Sequence, residues 1–309
     1  MNTNVTKAPL KANRIRNSRS DRIFALVNYT LLTIVMLITL YPLIYVVSAS
    51  ISEPVEVNSG RMVLFPIGFN IKGYKAILAN QWVLTGYANS LFYTVAGTFL
   101  NVLVTFMASY ALSRKDMFGH GFLTFVMVFT MWFGGGLIPT FLVIRSLGLI
   151  DSYAVLIIKG LVSVYNCIIC RSFITGSIPY ELQEAAQIDG ASDFQICWRI
   201  IFPLSGSVLA ILALYYSLGH WNGYFDALIY LSDRNKMPLQ IFLREILIEN
   251  SSVSVPTDVE DLVAMVERTQ MAQTMKYALI VVASLPMLII YPFVQKYFVK
   301  GVMIGSVKG

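Results

Sequence analysis

Residues 184–203 read EAAQIDGASDFQICWRIIFP and form a polar segment between two long apolar runs. Gly190 is placed to end a first helix in the left-handed conformation that glycine adopts without strain. Ser192 and Gln195 then have the S-x-x-Q spacing of a capping box, which starts a second helix. The stretch therefore predicts a helix, a glycine turn and a second helix that leads into the next apolar run.

The first of these helices is predicted to begin upstream of the quoted stretch. Ser177 is a candidate N-cap, and Pro179 falls in the first turn, where the missing N–H costs nothing. Glu181 and Glu184 lie near the positive end of the helix dipole. Four residues at helical spacing are predicted to make one short, mostly apolar face, which another backbone can approach closely: Leu182, Ala185, Ala186 and Asp189.

Composition places the chain in a membrane. Hydrophobic residues make up 56% of the 309 residues and charged residues 13%, whereas a soluble domain is about 25% charged. The mean hydropathy is +0.66. Gly134-Gly135-Gly136 predicts a kink or close helix packing inside one of the apolar stretches. Six stretches approach or exceed the roughly 18–20 residues that a helix needs to cross a bilayer, and they predict an all-α membrane protein with six transmembrane helices: 24–47, 87–112, 122–144, 153–173, 201–218 and 277–298.

The distribution of Lys and Arg predicts the orientation. With the N-terminus inside, thirteen of the 23 basic side chains lie in inner segments and nine in outer ones, and the short inner segments carry the bias. Both termini are then cytoplasmic, in a multi-pass protein of the cell membrane. The net charge of +6 follows from this asymmetry. The basic residues at 7–22 abut a span and have no interleaved aromatic residues, so nucleic acid is not an expected partner.

The polar segment carries a recognisable motif. Glu184, Ala185, Ala186 and Gly190 keep the spacing E-A-A-x3-G, and Ile200-Ile201-Phe202-Pro203 follows after nine more residues. This resembles the cytoplasmic EAA loop of ABC-importer permease subunits, whose pattern is EAA-x3-G-x9-I-x-LP. One position departs from the pattern, because Phe202 stands where the family has Leu, and the exchange is apolar for apolar.

The resemblance extends over residues 24–309. This region is similar to the carbohydrate-uptake type of ABC-importer permease, the group that includes the second permease subunit of maltose importers. Residues 296–305 look closest to a Gram-positive subgroup that imports complex or acidic oligosaccharides. The similarity to the wider group rests on Asn89-Ser90, Ile178-Pro179 with Glu181, Trp221-Asn222, and the ending from Lys300-Gly301 to Lys308-Gly309.

The resemblance implies a type I ABC importer permease, which forms half of a translocation path beside a second, homologous permease subunit. Two ATPase subunits would dock on the cytoplasmic side and use ATP-Mg, and an extracellular solute-binding protein would deliver the sugar. The chain itself is expected to bind no cofactor. The implied ATPase-coupling residues are Glu181, Glu184, Ala185, Ala186, Asp189 and Gly190.

The same resemblance suggests how the chain is divided. Residues 1–23 would be a basic cytoplasmic segment, and residues 24–299 would form the six-helix permease domain in the lipid bilayer. The coupling loop would occupy residues 178–200 within that domain. Residues 300–309 would be a cytoplasmic tail, long enough to enter between the two ATPase subunits.

A few polar groups inside the predicted spans are candidates for the substrate path. Lys159 lies about two turns inside the fourth stretch, where a charge costs about 3 kcal/mol by insertion scales. It is either a cation on the path, or a side chain that reaches the outer interface or pairs with Asp151. Asn166, Trp221 and Asn222 are further candidates, although helix-packing hydrogen bonds or an aromatic belt at the membrane interface explain Asn166 and Trp221 equally well.

Signatures of catalysis and of metal binding are missing. The sequence has no G-x-x-x-x-G-K-[ST] loop for ATP phosphates, and no enzyme activity is expected. His120 and His220 fall on opposite predicted sides, and Cys167 and Cys170 fit buried small apolar residues, so no metal site is expected. Two other classes of protein remain as alternatives. A secondary transporter or channel would need charged relays inside the spans, and a membrane-bound enzyme would need a catalytic site.

Overall fold

The computed structural model describes residues 18–249 and 259–306. The described residues are almost entirely helical, as the sequence predicts. The α-helices are supplemented by a π-helical turn (Ile196–Ile201) and a 3-10 turn (Arg234–Lys236). The helices are α1 (Arg19–Ser50), α2 (Pro54–Asn58), α3 (Lys72–Ala79), α4 (Gln81–Ser113), α5 (His120–Trp132), α6 (Leu137–Ser146), α7 (Tyr153–Ile158), α8 (Val164–Ser177), α9 (Glu181–Ile188), α10 (Asp193–Gln195), α11 (Phe202–Leu204), α12 (Gly206–Asn222), α13 (Phe225–Tyr230), α14 (Leu239–Glu249) and α15 (Val259–Ser306).

The long helix α4 lies at the centre of the fold. Its N-cap is Asn80, whose side-chain oxygen accepts hydrogen bonds from the backbone N–H groups of Trp82 and Val83. It packs against α7, α8, α12 and α14. Small side chains allow helix backbones to approach closely in a membrane, and small or polar residues recur every four positions along the buried face of α4: Gly97, Asn101, Thr105 and Ser109.

The first and last helices lie against each other beside this centre. A reciprocal capping box between Ser18 and Asp21 starts α1, and most of its large apolar side chains are exposed. This surface suits lipid or another membrane subunit. Helix α15 packs against α1, α3, α12 and α14. It runs without interruption from Val259 to Ser306, so it extends well before the predicted last span (277–298).

Two predicted spans are broken by non-helical backbone at glycines. The stretch 122–144 divides into α5 and α6, which are bent by 118°. Gly136 has a φ of +81° at this break, which confirms the predicted kink. The stretch 153–173 divides into α7 and α8, and Gly160 has a φ of +76° between them. Hydropathy does not register a left-handed backbone position, so the prediction of one continuous helix over 153–173 was wrong.

The fifth stretch is bent as well. Residues Asp193–Leu204 and Gly206–Asn222 meet at 82° around Ser205. Three single helices of the described residues are long and apolar enough to cross a membrane, or up to five spans if each bent pair is one. The count of six spans and the cytoplasmic placement of both termini stay predictions. Residues 1–17 of the predicted N-terminal segment and residues 307–309 of the predicted tail lie outside the described residues.

Candidate functional site

The EAA segment folds as two helices around a glycine turn, as its sequence predicts. Helix α9 ends at Ile188, and Gly190 has a φ of +80°. The Ala191 N–H donates to the Ala186 carbonyl at 2.9 Å, and the Gly190 N–H donates to the Gln187 carbonyl at 3.0 Å. These are the two hydrogen bonds of a Schellman motif. The glycine therefore satisfies the carbonyls at the end of the helix.

The second helix of the segment starts at the predicted capping box. The Ser192 N–H donates to Gln195 Oε1 at 2.9 Å, and the Gln195 N–H donates to Ser192 Oγ at 3.4 Å. The predicted start of the first helix was wrong. Ser177 is the last residue of α8, and α9 begins at Glu181 after Tyr180. The backbone is extended at Ile178, so the two helices are separate.

The face that α9 buries differs from the predicted one. Ala186 is 8% exposed and packs against Ile178, Ile196 and other side chains of the same chain. Gln183 is the other buried residue of this helix. The remaining residues of the predicted face, Leu182, Ala185 and Asp189, are exposed, and so are Glu181 and Glu184. A helix of eight residues that is anchored by one side presents its other side to solvent or to a partner.

Two large apolar side chains extend this outward surface. Ile188 is 87% exposed at the end of α9, and Phe194 is 69% exposed in α10. Leu182 is also exposed, in the first turn of α9. Exposed apolar side chains are ordinary when scattered, whereas several on one short segment indicate an interaction surface.

Arg114 ties the segment to the end of α4. Its guanidinium donates to both carboxylate oxygens of Asp116, from Nε at 2.8 Å and from Nη2 at 2.5 Å. Its Nη1 donates to Asp193 Oδ1 at 2.8 Å and to the Tyr110 hydroxyl at 3.2 Å. The Arg114 side chain is only 8% exposed. The hydrogen bond with Asp116 raises the pKa of Arg114 and lowers that of the Asp116 carboxyl.

The second candidate region surrounds Lys159. The sequence predicted Lys159 inside the helix of the fourth span, and this was wrong. Lys159 is the C-cap residue of α7, at the break before α8. Its ammonium group makes an ion pair with the carboxylate of Asp226 in α13 and lies 5.0 Å from the centroid of the Tyr230 ring. The Lys159 side chain is 25% exposed and that of Asp226 is 41% exposed. The pair is therefore open to water on one side.

Asp151, the alternative partner predicted for Lys159, has a different partner. Its carboxylate accepts hydrogen bonds from the backbone N–H groups of Asp233 and Ser232, both at 3.0 Å. Lys236 Nζ lies 3.4 Å from Asp151 Oδ2. These donors hold the pKa of the Asp151 carboxyl below its ordinary value. Asp151 thus belongs to the turn before α14 and leaves Lys159 to Asp226.

Asn101 supports the broken backbone next to Lys159. Its Nδ2 donates to the carbonyls of Gly160 and Leu161, both at 3.0 Å. Its Oδ1 lies 3.0 Å from His220 Nε2 of α12, and an amide oxygen only accepts, so the imidazole donates there. A break between two helices frees backbone carbonyls that need hydrogen-bond partners, and this asparagine is the partner of two of them.

A cavity of about 220 Å³ lies between these elements. Lys159, Asp226 and His220 bring charge and hydrogen-bonding capacity to it, and four of its other lining residues bring aromatic surface or an amide: Tyr93, Tyr215, Tyr216 and Asn101. The Tyr216 hydroxyl is committed to Thr105 and to the Ser163 N–H. The Tyr215 side chain is exposed.

The other predicted path residues do not line this cavity. Trp221 is 2% exposed, and its Nε1 donates to the Ala283 carbonyl at 2.8 Å while its ring meets Tyr87 edge-on. Asn166 is buried in α8, and Asn222 is exposed at the end of α12. Of the four candidates, the structure brings only Lys159 to the cavity. Sequence reasoning missed Asp226, although an isolated acid in an apolar stretch is a usable signal for a buried cation's partner.

The remaining polar residues raised by the sequence have packing contacts. Cys167 and Cys170 are buried, and Ser109 Oγ lies 3.3 Å from Cys167 Sγ. His120 Nε2 lies 2.9 Å from Arg171 Nη2. Within residues 18–249 and 259–306, no three His, Cys, Asp or Glu side chains are placed to hold a metal ion together.

The chain is similar to known transport proteins over nearly its whole length. The family described as "Binding-protein-dependent transport system inner membrane component" matches residues 10–304. The polygalacturonan/rhamnogalacturonan transport system permease protein YtcP of Bacillus subtilis (strain 168) is 40% identical over 289 residues, which cover 94% of this chain and 99% of that protein. Protein LplC of the same organism is 38% identical over 295 residues, covering 96% and 98%.

A solved structure is similar in fold as well as in sequence. It is the crystal structure of a bacterial ABC transporter involved in the import of the acidic polysaccharide alginate. The TM-score is 0.82 at 38% sequence identity, and the alignment covers 92% of this chain and 99% of that chain. The helix breaks and the EAA segment therefore sit in a chain whose whole fold has a known counterpart.

Proposed function

The chain belongs to the family of binding-protein-dependent transport system inner membrane components, and we propose that it is a permease subunit of an ATP-driven importer for acidic oligosaccharides. It is an ABC transporter permease of the sugar-import kind and a membrane component. Self-contained transport and membrane-bound catalysis, the two alternatives, find no support in this family membership. The acidic substrate class is supported by two relatives, one named for polygalacturonan and rhamnogalacturonan and one described as importing alginate.

The proposed partners are a second homologous permease subunit, two ATPase subunits and an extracellular solute-binding protein. The permease pair would enclose the path in the bilayer, and the ATPase subunits would bind and hydrolyse ATP-Mg on the cytoplasmic side. The proposed tail at 300–309 would enter between the ATPase subunits. The last residues of the tail, 307–309, lie outside the described residues. The role proposed for the tail follows from the resemblance to maltose-type permeases.

The observation that carries the coupling proposal is the division of α9 into two sides. Its inner side packs through Ala186 into a cluster that includes Phe106 of α4, Ile196 and Ile201 of the π-helical turn, and Leu212 of α12. Its outer side leaves Leu182, Ala185 and Ile188 exposed. A packed cluster hardly compresses. A displacement of α9 by docked ATPase subunits would therefore be passed to α4 and α12, the helices that border the cavity.

Arg114 adds a polar connection to the same path. One of its two ion pairs joins the end of α4 to Asp193, the first residue of α10, and the other is local, with Asp116. The Arg114 side chain is only 8% exposed, and a hydrogen bond to a charged group contributes about 1.5–3 kcal/mol, so the contact with Asp193 resists separation. We infer that Arg114 keeps the coupling loop and α4 moving together. In this account the ATPase supplies the chemistry, and this chain supplies contacts that differ between two states, as coupling requires.

The coupling proposal is tested at Ala185, because this residue is exposed and makes no part of the buried cluster. Ala185→Asp places a charge on the outer side of α9 without disturbing the inner side. We expect the affinity-tagged variant to reach the membrane at the parental level, to lose the co-purified ATPase subunits and to lose oligosaccharide uptake.

Ala185→Ser is the matched control, since it keeps a small side chain at the same position and should retain both activities. Parental co-purification and uptake by Ala185→Asp would show that the outer side of α9 is not the docking surface.

A further inference from the structure

We propose that the cavity beside Lys159 is a subsite for one negatively charged sugar unit, and that Asp226 holds the Lys159 ammonium group until a substrate carboxylate replaces it. The inference rests on the proposed function, because it requires that acidic oligosaccharides pass this chain. It assigns Asp226 a role in specificity, which the motif and the coupling loop do not address.

The size of the cavity matches a single sugar unit. An apolar cavity of about 150 Å³ holds one benzene molecule. The cavity here has a volume of about 220 Å³, which is enough for a six-membered ring with its substituents. Pockets that enclose larger ligands measure about 300–1,000 Å³. The cavity therefore suits one sugar unit of a chain and not a whole oligosaccharide.

The side chains that line the cavity suit an acidic sugar. Tyr215 presents an exposed ring and hydroxyl, which suit the apolar face and the hydroxyl groups of a sugar. The His220 imidazole is already held by Asn101 at 3.0 Å, so its position is defined before a ligand enters. Lys159 is the one cationic side chain among the lining residues. A uronate carboxylate that enters this cavity finds its only counter-charge there.

The ion pair between Lys159 and Asp226 can open, so that a substrate carboxylate takes the place of Asp226. Both side chains are partly exposed, at 25% and 41%, and ion pairs that contact water contribute little to stability. This differs from the Arg114 pairs, where the cation is 8% exposed. When a substrate carboxylate reaches Lys159, Asp226 can turn its charge towards water at its exposed side. A neutral sugar cannot replace Asp226 in this way, so the pair selects for charge.

Asp226 also weakens the binding of an acidic ligand. Two carboxylates that share one ammonium group repel each other. Removing the Asp226 charge should therefore strengthen binding of an acidic sugar and leave binding of a neutral one unchanged. Removing the Lys159 charge should do the opposite and abolish the preference for the acid.

The experiment uses the purified complex of both permeases and the ATPase subunits in lipid nanodiscs. Titration calorimetry compares trigalacturonate with its methyl ester, which has a similar shape and no charge. We expect the parent to prefer the acid. Asp226→Asn should bind the acid about fivefold more tightly, equivalent to about 1 kcal/mol, with unchanged affinity for the ester. Lys159→Met should bind the acid no more tightly than the ester, because the Asp226 carboxylate then repels the acid, and Lys159→Arg should restore the preference.

Glu245→Gln is the control, because it also removes one carboxylate and lies outside the cavity, paired with Arg234 at 2.8 Å. It should behave as the parent. If Asp226→Asn binds both ligands as the parent does, or if Lys159→Met keeps the preference while cells still import trigalacturonate, the subsite is refuted and the proposed function stands. If cells with the parent complex import no acidic oligosaccharide at all, the proposed substrate class fails, and the subsite fails with it.

Discussion

A single methyl group at Gly97 should destabilise the chain by disturbing the support of the helix break. A Cβ at this position would lie 2.5 Å from Cε1 of His220, and closer still to Nε2. The ring would have to move away from α4. Its hydrogen bond with Asn101 Oδ1, at 3.0 Å, would then be lost, and Asn101 holds the carbonyls of Gly160 and Leu161.

The size of the effect follows from three contributions. Overpacking costs about 1–3 kcal/mol, and the lost hydrogen bond costs about 0.5–1.5 kcal/mol. The gain in helix propensity from Gly to Ala offsets about 1 kcal/mol. We therefore expect Gly97→Ala to lower the free energy of unfolding by about 0.5–3.5 kcal/mol. At about 2 °C per kcal/mol, the melting temperature of the detergent-solubilised complex should fall by about 1–7 °C.

Gly219→Ala is the matched control, because a Cβ there has no atom within 4 Å and the residue lies one position before His220 in α12. Its melting temperature should equal or exceed that of the parent. In a double-mutant cycle, Gly97→Ala should cost nothing once His220→Ala has made room. The reasoning is refuted if Gly97→Ala melts at the parental temperature, or if its cost is the same with and without the His220 ring.

Two further predictions concern topology and the coupling loop, and a third concerns the helix break. Ser232→Cys and Ser192→Cys are introduced one at a time into a Cys-free variant of the protein, and an impermeant thiol reagent is applied to intact cells. The reagent should label Ser232→Cys and leave Ser192→Cys unlabelled; the reverse pattern would overturn the predicted orientation. Arg114→Met should make the EAA segment more sensitive to trypsin in inside-out vesicles, because Asp193 loses its partner, and unchanged cleavage would show that the connection is dispensable. Asn101→Ala should cost about 1–3 kcal/mol, because it removes the hydrogen bonds to the Gly160 and Leu161 carbonyls and each contributes about 0.5–1.5 kcal/mol; an unchanged melting temperature would argue against its role at the break.

Much of the EAA segment was predictable because its structure is local. The Schellman turn at Gly190 and the capping box of Ser192 and Gln195 depend on residues within five positions of one another, and all of them form. The burial of α9 was not predictable in the same way. Helical spacing identifies which side chains share a face, but only the neighbouring helices decide that Ala186 is buried while Leu182 and Asp189 are exposed.

The spans show the same division. Hydropathy indicated the apolar stretches, because the transfer of side chains from water is nearly additive along the chain. It did not indicate the break at Gly160, where the backbone takes a left-handed conformation, whereas the run of three glycines indicated the break at Gly136. A helix break is stable only where other groups satisfy the freed carbonyls. One such group is Asn101, which lies 59 residues before Gly160.

By itself, therefore, the sequence determined the membrane class, the helical composition and the EAA motif, because each depends on residue type or on short spacing. The tertiary structure alone decided which charges meet. Lys159 pairs with Asp226, 67 residues away, and not with the nearer Asp151, which the backbone N–H groups of Ser232 and Asp233 already hold. The energy of an ion pair depends on the distance between charges and on their exposure to water, and both quantities exist only once the helices have packed.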